Sequence, residues 1–155
     1  MKDWIAAFSA FVLLLCHTTV TESQVYLMNN QSVSACSGTF ADSGGPSGPY
    51  ATQETFLKTF CSDNPGLSRV RLDFKSIAIH PTHELCVYDG PDATWPKLAC
   101  AADYGPSQPF TVQATDANPS GCLTVVFRSD NNPPGAGWVA DISCHVVCQS
   151  VLASI

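Results

Sequence analysis

Four side chains with metal-binding chemistry fall into two short segments of the sequence. His80, His83 and Glu84 lie in one segment, and Asp130 follows in a later polar one. Imidazole nitrogens and carboxylate oxygens together are suitable ligands for zinc or copper. Their spacing is not that of a recognised motif, and loop histidines are more often simply solvated. A soft transition-metal site is therefore one hypothesis, and ordinary loop residues are the other.

The stretch Asp42–Pro46 matches the sequence around the nucleophilic serine of trypsin-like proteases. Such a serine works only with a base, an orienting acid and a two-barrel scaffold. The chain has no matching histidine motif, because His80 stands between Ile79 and Pro81, and it is too short for two barrels. We therefore expect a turn in which glycines supply positive φ angles, and no catalytic residue.

Three aromatic residues lie in turn-rich segments, namely Tyr50, Trp95 and Tyr104. They could form a surface that stacks on a glycan or contacts a protein. The alternative is that they fill part of the core or fasten loops. A separate feature is the N-glycosylation sequence Asn30-Gln31-Ser32, which has meaning only in a host that performs the reaction.

The N-terminus predicts export. Lys2 precedes the apolar run Trp4–Leu15, which is too short to span a bilayer and suits a signal-peptide core. Cleavage near Ser23 would leave a mature chain from about Gln24; a lipid anchor on Cys16 is the alternative. No second segment could span a membrane. The net charge of −6 comes without a basic cluster, so nucleic acid is not an expected partner.

Alternation of apolar and polar residues predicts an all-β fold. Val70, Leu72 and Phe74 alternate with polar neighbours, so Arg69, Arg71 and Lys75 are expected with Asp73 on a solvated face. Eleven prolines disfavour helices. Short strands separated by turn signals are typical of a sandwich or jelly roll. The predicted strands are 25–28, 32–37, 55–61, 69–75, 85–88, 97–101, 110–114, 123–128 and 138–144.

Six cysteines form three sequential pairs, and each pair stands where two neighbouring strands should meet. They are Cys36, Cys61, Cys86, Cys100, Cys122 and Cys144. This density in a small chain predicts disulfides formed in an oxidising compartment, although six cysteines allow many connectivities. Cys148 has no partner once Cys16 is removed. It could stay free, pair between molecules, or pair with a segment absent from this sequence.

The ordered motifs of the sequence resemble those of the CUB domain family. The resemblance covers about residues 36–144, and its opening and closing motifs are closest to CUB domains in large secreted proteins of Bacteroidetes. The matching segments are Cys36–Gly45 with Gly48–Tyr50, Val70–Phe74, Leu85–Gly90, Gly121–Asp130 and Gly137–Cys144.

The resemblance implies a jelly-roll sandwich of two antiparallel sheets, extracellular and without catalytic activity. Residues 1–23 would be the signal peptide, 24–35 a lead strand, 36–144 the domain, and 145–155 a tail or the start of another segment. The family's usual pairing implies a Cys36–Cys61 bond, and closure of the last two strands suits Cys122–Cys144. Cys86 departs from the family pattern, but a cross-strand bond to Cys100 is geometrically reasonable if their Cα atoms lie within about 7 Å.

Many CUB domains hold Ca²⁺ with three acidic side chains, and calcium prefers about six to eight oxygen ligands. Asp130 matches the last of these positions. The other two fall around Ile79 or His80 and at His83, with Glu84 one residue away. Because successive strand residues face opposite sides, Glu84 is not an automatic substitute. The sequence therefore predicts no cofactor, and calcium is the alternative that the resemblance offers.

These observations together predict a secreted binding or adhesion module that contacts a protein or glycan through its edge loops. One alternative is a structural subunit of an extracellular fibre, which would assemble through the apolar tail or Cys148. A second alternative is an auxiliary domain of a larger secreted enzyme.

Overall fold

The computed structural model describes residues 23–105 and 107–147, which form two five-stranded β-sheets. The elements are β1 (Val25–Leu27), β2 (Ser32–Ser34), β3 (Ser37–Ala41), β4 (Thr55–Cys61), β5 (Ser68–Ala78), β6 (Glu84–Tyr88), β7 (Lys97–Cys100), α1 (Ala101–Tyr104), β8 (Phe110–Gln113), β9 (Leu123–Arg128) and β10 (Gly137–Val146). Sheet A has the order β1-β3-β10-β5-β8, and sheet B has the order β2-β4-β9-β6-β7. The expected all-β sandwich is confirmed.

The predicted signal peptide up to residue 22, Cys16, Cys148 and the rest of the predicted tail lie outside the described residues. Strand β10 continues through His145 and Val146, so the first residues assigned to the tail belong to sheet A. A short helix that the proline-rich sequence did not predict, α1, replaces the end of the strand expected at 97–101. No helix in the described ranges is long and apolar enough to cross a membrane.

The lead segment crosses from one sheet to the other. Strand β1 pairs in parallel with β3 at the edge of sheet A, and β2 pairs in parallel with β4 at the edge of sheet B. The other strand pairs are antiparallel, as the sequence predicted. Met28, between β1 and β2, is 1% exposed and packs into the core. The segment therefore closes this side of the sandwich.

The core lies between the two sheets and is formed by the inward-facing residues of each alternating strand. Strand β9 shows the pattern clearly, because Leu123, Val125 and Phe127 are fully buried against the core cluster. Burial of each such side chain contributes about 1.5–3 kcal/mol. Edge-to-face aromatic contacts join the sheets, among them Phe40 with Phe60 at 4.9 Å and Phe127 with Trp138 at 4.9 Å between ring centroids.

A β-bulge at Lys75 shifts the alternation of strand β5 near its end. Phe74 pairs with Ala140 and Ser76 pairs with Val139, so Lys75 is an extra residue without an opposite partner. The alternation shifts by one residue there, and Ile77 and Ile79 return to the core. The bulge therefore keeps the end of β5 and the start of the next loop packed on the core.

Arg69 was predicted on the solvated face of β5, and that prediction is wrong. Arg69 is 7% exposed, and its guanidinium donates to the carbonyl oxygens of Pro65 at 2.6 Å and Thr115 at 3.1 Å. The planar guanidinium satisfies carbonyl groups of two loops at once, which outweighs its preference for solvent. Arg71 and Lys75 are exposed, as expected.

The three disulfides join Cys36 to Cys144, Cys61 to Cys122 and Cys86 to Cys100. The predicted Cys86–Cys100 bond is confirmed, but the pairings Cys36–Cys61 and Cys122–Cys144 are wrong.

The reason for the difference is strand pairing within each sheet. Ser37 of β3 lies opposite Ser143 of β10, which sets Cys36 beside Cys144 in sheet A. Phe60 of β4 lies opposite Leu123 of β9, which sets Cys61 beside Cys122 in sheet B. Each bond therefore fastens two neighbouring strands of one sheet, whereas the sequential pairing would have bridged different sheets.

Candidate functional site

Two loops meet at one end of the sandwich, the loop after β5 (residues 79–83) and the loop after β9 (residues 129–136). The Thr82 hydroxyl donates to Asp130 Oδ2 at 2.8 Å, and Asn132 Nδ2 donates to the Thr82 hydroxyl oxygen at 3.0 Å. His83 Nε2 lies 2.8 Å from Asp130 Oδ1. The structure therefore brings together the predicted site residues His83 and Asp130.

The hydroxyl of Tyr50 connects these loops from inside the core. It accepts hydrogen bonds from the backbone N–H groups of His80 at 3.0 Å and Gly135 at 2.8 Å. With both lone pairs occupied, the hydroxyl must donate to the third partner, His83 Nδ1, at 2.8 Å. This order of donors fixes the proton of the imidazole on Nε2, where it is donated to Asp130. We call this series the Tyr50–His83–Asp130 chain.

The carboxylate of Asp130 is saturated with donors. Oδ1 accepts from the backbone N–H of Asn132 at 2.7 Å and from His83 Nε2, and Oδ2 accepts from the Thr82 hydroxyl and Asn132 Nδ2. These donors, led by the Asn132 N–H and the Thr82 hydroxyl, hold the pKa of Asp130 well below its ordinary value. The group is therefore an ionised acceptor for donors from both loops.

The residues at this end do not fit a calcium ion. Calcium prefers about six to eight oxygens with several carboxylates, and among the described residues Asp130 is the one carboxylate that these two loops supply. The side chain of His83 is 0% exposed and uses both ring nitrogens. Glu84 is occupied elsewhere, because its Oε2 accepts from the guanidinium of Arg128 at 2.7 Å. Strand alternation thus separates Glu84 from Asp130.

Three of the four residues considered for zinc or copper lie close together, since the His80 and His83 rings are 5.0 Å apart between centroids and His83 contacts Asp130. Their ligand atoms nevertheless do not converge on one point. His80 Nδ1 is bonded to the Thr82 hydroxyl at 3.0 Å, and Glu84 lies with Arg128. Within the described ranges, the one close group of three potential ligand residues is Glu84, Cys86 and Cys100. The two cysteines are joined to each other as a disulfide and are not thiolate ligands.

An apolar pocket of about 240 Å³ adjoins the loop after β5. Its walls are formed by Ile79, His80, Pro81, His83, Ala101 and Ala102. The last two belong to α1, which follows the Cys86–Cys100 disulfide directly. One wall is thus held by the Tyr50–His83–Asp130 chain and the other by a covalent bond. The alanines carry no chemistry of their own, so no sequence signal pointed to this pocket.

The three aromatic residues considered for ligand contact differ in their surroundings. Tyr50 is 1% exposed, so it cannot contact a partner, and its ring packs against Phe127 at 4.9 Å. Trp95 is partly buried and covers Gly90, whose missing Cβ leaves room for the indole. Tyr104 is 47% exposed and stacks on Phe110 at 4.7 Å. Of the three, only Tyr104 presents a large part of its ring to solvent.

The Asp42–Pro46 stretch forms a turn, as expected. The Ser43 hydroxyl donates to Glu54 Oε2 at 2.6 Å rather than to a histidine, and Gly45 has a φ angle of +82°. Asp42 is buried and accepts the N–H groups of Gly44 and Trp138, which fastens this turn to the start of β10. Burial raises the pKa of Asp42, and these two donors act in the opposite direction.

No protein-family model and no curated protein matches the sequence. Solved structures do. The full extracellular region of zebrafish Gpr126/Adgrg6 matches over 77% of this chain and 15% of that chain, with 16% identity and a TM-score of 0.57. The CUB1-EGF-CUB2 region of human MASP-1/3 matches over 82% and 46%, with 19% identity and a TM-score of 0.55. This chain thus spans less than half the length of either protein.

A third structure, the MASP-1 CUB2 domain bound to Ca²⁺, matches over 74% of this chain and 98% of that chain, with 19% identity and a TM-score of 0.54. The organisms named for the first two structures are zebrafish and human, so the closer resemblance to Bacteroidetes domains gains no support from them. The likeness extends over nearly the whole of one CUB domain. The described part of this chain therefore has the fold of a CUB domain.

Proposed function

We propose that this chain is a secreted, non-catalytic binding module whose ligand surface is the pocket between the loop after β5 and α1. The observation that carries the proposal is that both walls of the pocket are fastened before any ligand arrives, by the Tyr50–His83–Asp130 chain and by the Cys86–Cys100 bond. A preformed pocket loses little entropy on binding. The extracellular origin of the zebrafish structure agrees with this role.

The pocket favours a protein ligand over a glycan. Its walls are aliphatic apart from two imidazoles, and His83 already uses both ring nitrogens. A sugar would leave its hydroxyls without partners there, which is costly. A cavity of about 240 Å³ suits one aliphatic or aromatic side chain projecting from a partner. We therefore propose that a protein inserts such an anchor residue into the pocket.

We further propose that this module holds its loops without calcium. The support is chemical, since the position where the resemblance implies an acidic ligand carries the buried imidazole of His83. The four donors on Asp130 take the place that a cation would fill. Hydrogen bonds to an ionised acceptor are stronger than those between neutral groups, and here they come from two loops.

Filling the pocket should weaken binding. Ala102 is exposed on the pocket wall, so Ala102→Trp adds an indole without disturbing the core. Peptides selected from a random display library on the oxidised protein should lose at least about tenfold in affinity, because the indole occupies the anchor volume. The matched control is Ala117→Trp, an exposed alanine close to the opposite end of β5, which should leave affinity unchanged. Equal binding to both variants would remove the pocket from the proposal.

A structural subunit remains the second candidate, because β1 is an edge strand with exposed apolar side chains. Val25 is 43% and Leu27 is 40% exposed, and the outer edge of β1 has no strand beside it among the described residues. Such an edge can pair with another chain. Sedimentation velocity over a wide concentration range distinguishes the two candidates. A monomer throughout contradicts the subunit, and growing oligomers would support it.

A further inference from the structure

The turn between β1 and β2 carries the sequence Asn30-Gln31-Ser32, which is the acceptor pattern for N-linked glycosylation. Asn30 and Ser32 are both exposed in the folded chain. Neither takes part in the core, the pocket or the Tyr50–His83–Asp130 chain. The proposed binding role therefore does not explain this acceptor sequence.

A hydrogen bond to its oxygen orients the side-chain amide of Asn30. Asn30 Oδ1 accepts a hydrogen bond from the backbone N–H of Leu57 at 2.8 Å. The nitrogen of the same amide, Nδ2, has no hydrogen-bond partner among the described residues. Nδ2 is the atom to which an N-linked glycan is attached. The folded chain thus binds Oδ1, the amide atom to which no glycan is attached, and leaves Nδ2 without a partner.

Two other asparagines of the chain lack these properties. Asn29 donates from Nδ2 to Gln31 and accepts at Oδ1 from Lys58, so its amide is occupied on both sides. The other Asn-x-Ser sequence, at Asn118, has proline in the middle position, which the acceptor pattern excludes. Asn118 is also 1% exposed, with its Nδ2 bonded to Asp89 and the carbonyl of Cys122.

We propose that Asn30 is an N-glycosylation site. The donor would be an oligosaccharide linked to a lipid diphosphate. In the transfer, Asn30 Nδ2 forms a bond to the anomeric carbon of the first sugar, and one proton passes from Nδ2 to the leaving diphosphate. The bond between that carbon and the diphosphate oxygen breaks, and the lipid diphosphate leaves with the electron pair. The proposal rests on the proposed secretion, because the transfer takes place as a chain enters the secretory pathway.

The glycan would stand at an open edge of sheet B. In the part of the chain that the structure describes, β2 is the terminal strand of that sheet and pairs only with β4, so its outer backbone edge carries no other strand. Asn30 stands just before β2, and Leu57, whose N–H it accepts, is itself 38% exposed. A bulky polar sugar at this point would keep other strands from pairing with β2. The modification would thus preserve a monomeric binding module.

The test is secretion of the full chain from a eukaryotic host, followed by treatment with peptide N-glycosidase and mass spectrometry. The wild type should lose the mass of one glycan, and the residue at position 30 should be recovered as aspartate. Ser32→Ala should carry no glycan, although it keeps Asn30 and its bond to Leu57. The control Ser34→Ala, an exposed serine on β2 outside the acceptor sequence, should be glycosylated like the wild type. A wild type without a glycan overturns the proposal.

A second experiment tests the glycosylation site independently of the proposed secretion. Residues 23–155 are expressed behind the host's own leader peptide. If this product is glycosylated but the full chain is not exported, the proposed secretion is contradicted and the glycosylation site is supported. The role at the edge is tested by sedimentation of the two variants. Ser32→Ala should self-associate as concentration rises while Ser34→Ala stays monomeric, and identical behaviour would contradict the shielding of β2.

Discussion

Replacement of Cys36 and Cys144 together by alanine is expected to lower the free energy of unfolding by about 5 kcal/mol. The bond closes a separation of 108 residues, and in the chain-entropy account a long closed loop restricts the unfolded state most. The bond also fastens β3 to β10, next to the point where β10 ends. Urea unfolding under non-reducing conditions measures the effect.

The matched control is the double alanine variant of Cys86 and Cys100, whose separation is 14 residues. Its expected cost is about 3 kcal/mol, since a short closed loop restricts the unfolded chain less. Peptide mapping of the oxidised wild type should give cross-linked peptides that join Cys36 to Cys144 and Cys61 to Cys122. Cross-links from Cys36 to Cys61 would show that the sheets are fastened to each other and would contradict the structure.

Tyr50→Phe is expected to lower the free energy of unfolding by about 3 kcal/mol, although it removes a single oxygen. The hydroxyl is the acceptor for two partly buried backbone N–H groups and the donor to the buried His83 Nδ1, so three polar groups lose their partner. The ring itself remains and keeps its packing on Phe127. The effect corresponds to a fall in the thermal midpoint on the order of 10 °C.

Tyr104→Phe is the control for this variant, because Tyr104 is 47% exposed and its hydroxyl makes no hydrogen bond to the described residues. Its cost should be about 0.5 kcal/mol or less. Nitrogen NMR of the His83 ring adds a second readout. The proton should lie on Nε2 in the wild type, as the donor order requires. A cost below about 1 kcal/mol for Tyr50→Phe would mean that water satisfies these groups and that the loops are held in another way.

Most strand positions could be predicted because they depend on neighbours in the sequence, although β3 was not among the predicted strands. The alternation in residues 123–128 gave strand β9 with the observed bounds, and the run at 55–61 gave β4. The Cys86–Cys100 bond was also predictable, since β6 and β7 are consecutive strands of one sheet. Local sequence carries this information because side-chain direction alternates along a strand.

The remaining disulfides depend on contacts that local sequence does not encode. Strand β3 pairs with β10, which lies about a hundred residues later, and no pattern in Cys36 or Cys144 shows which strand will be its neighbour. The bulge at Lys75 is of the same kind, because it appears only once β5 meets β10. Such features follow from the order of strands in each sheet.

The site was predictable only in part, for a related reason. The resemblance placed His83 and Asp130 at the same end of the fold, and the structure brings them together. The role of Tyr50 was missed, because its hydroxyl joins partners from two loops that are far apart in the sequence. A tyrosine beside glycine and proline looks like a surface residue until those partners are assembled around it.

Calcium should leave the stability of this chain unchanged, because we propose that hydrogen bonds to Asp130, and not a cation, hold the two loops together. Thermal unfolding of the oxidised chain, with calcium titrated to millimolar and then chelated, measures this. The midpoint of unfolding should be the same in all samples. A ligand at 100 times its dissociation constant would add about 2.7 kcal/mol, a rise on the order of 10 °C. A saturable rise that the chelator reverses would show that Asp130 finds other oxygen ligands and would contradict the proposal.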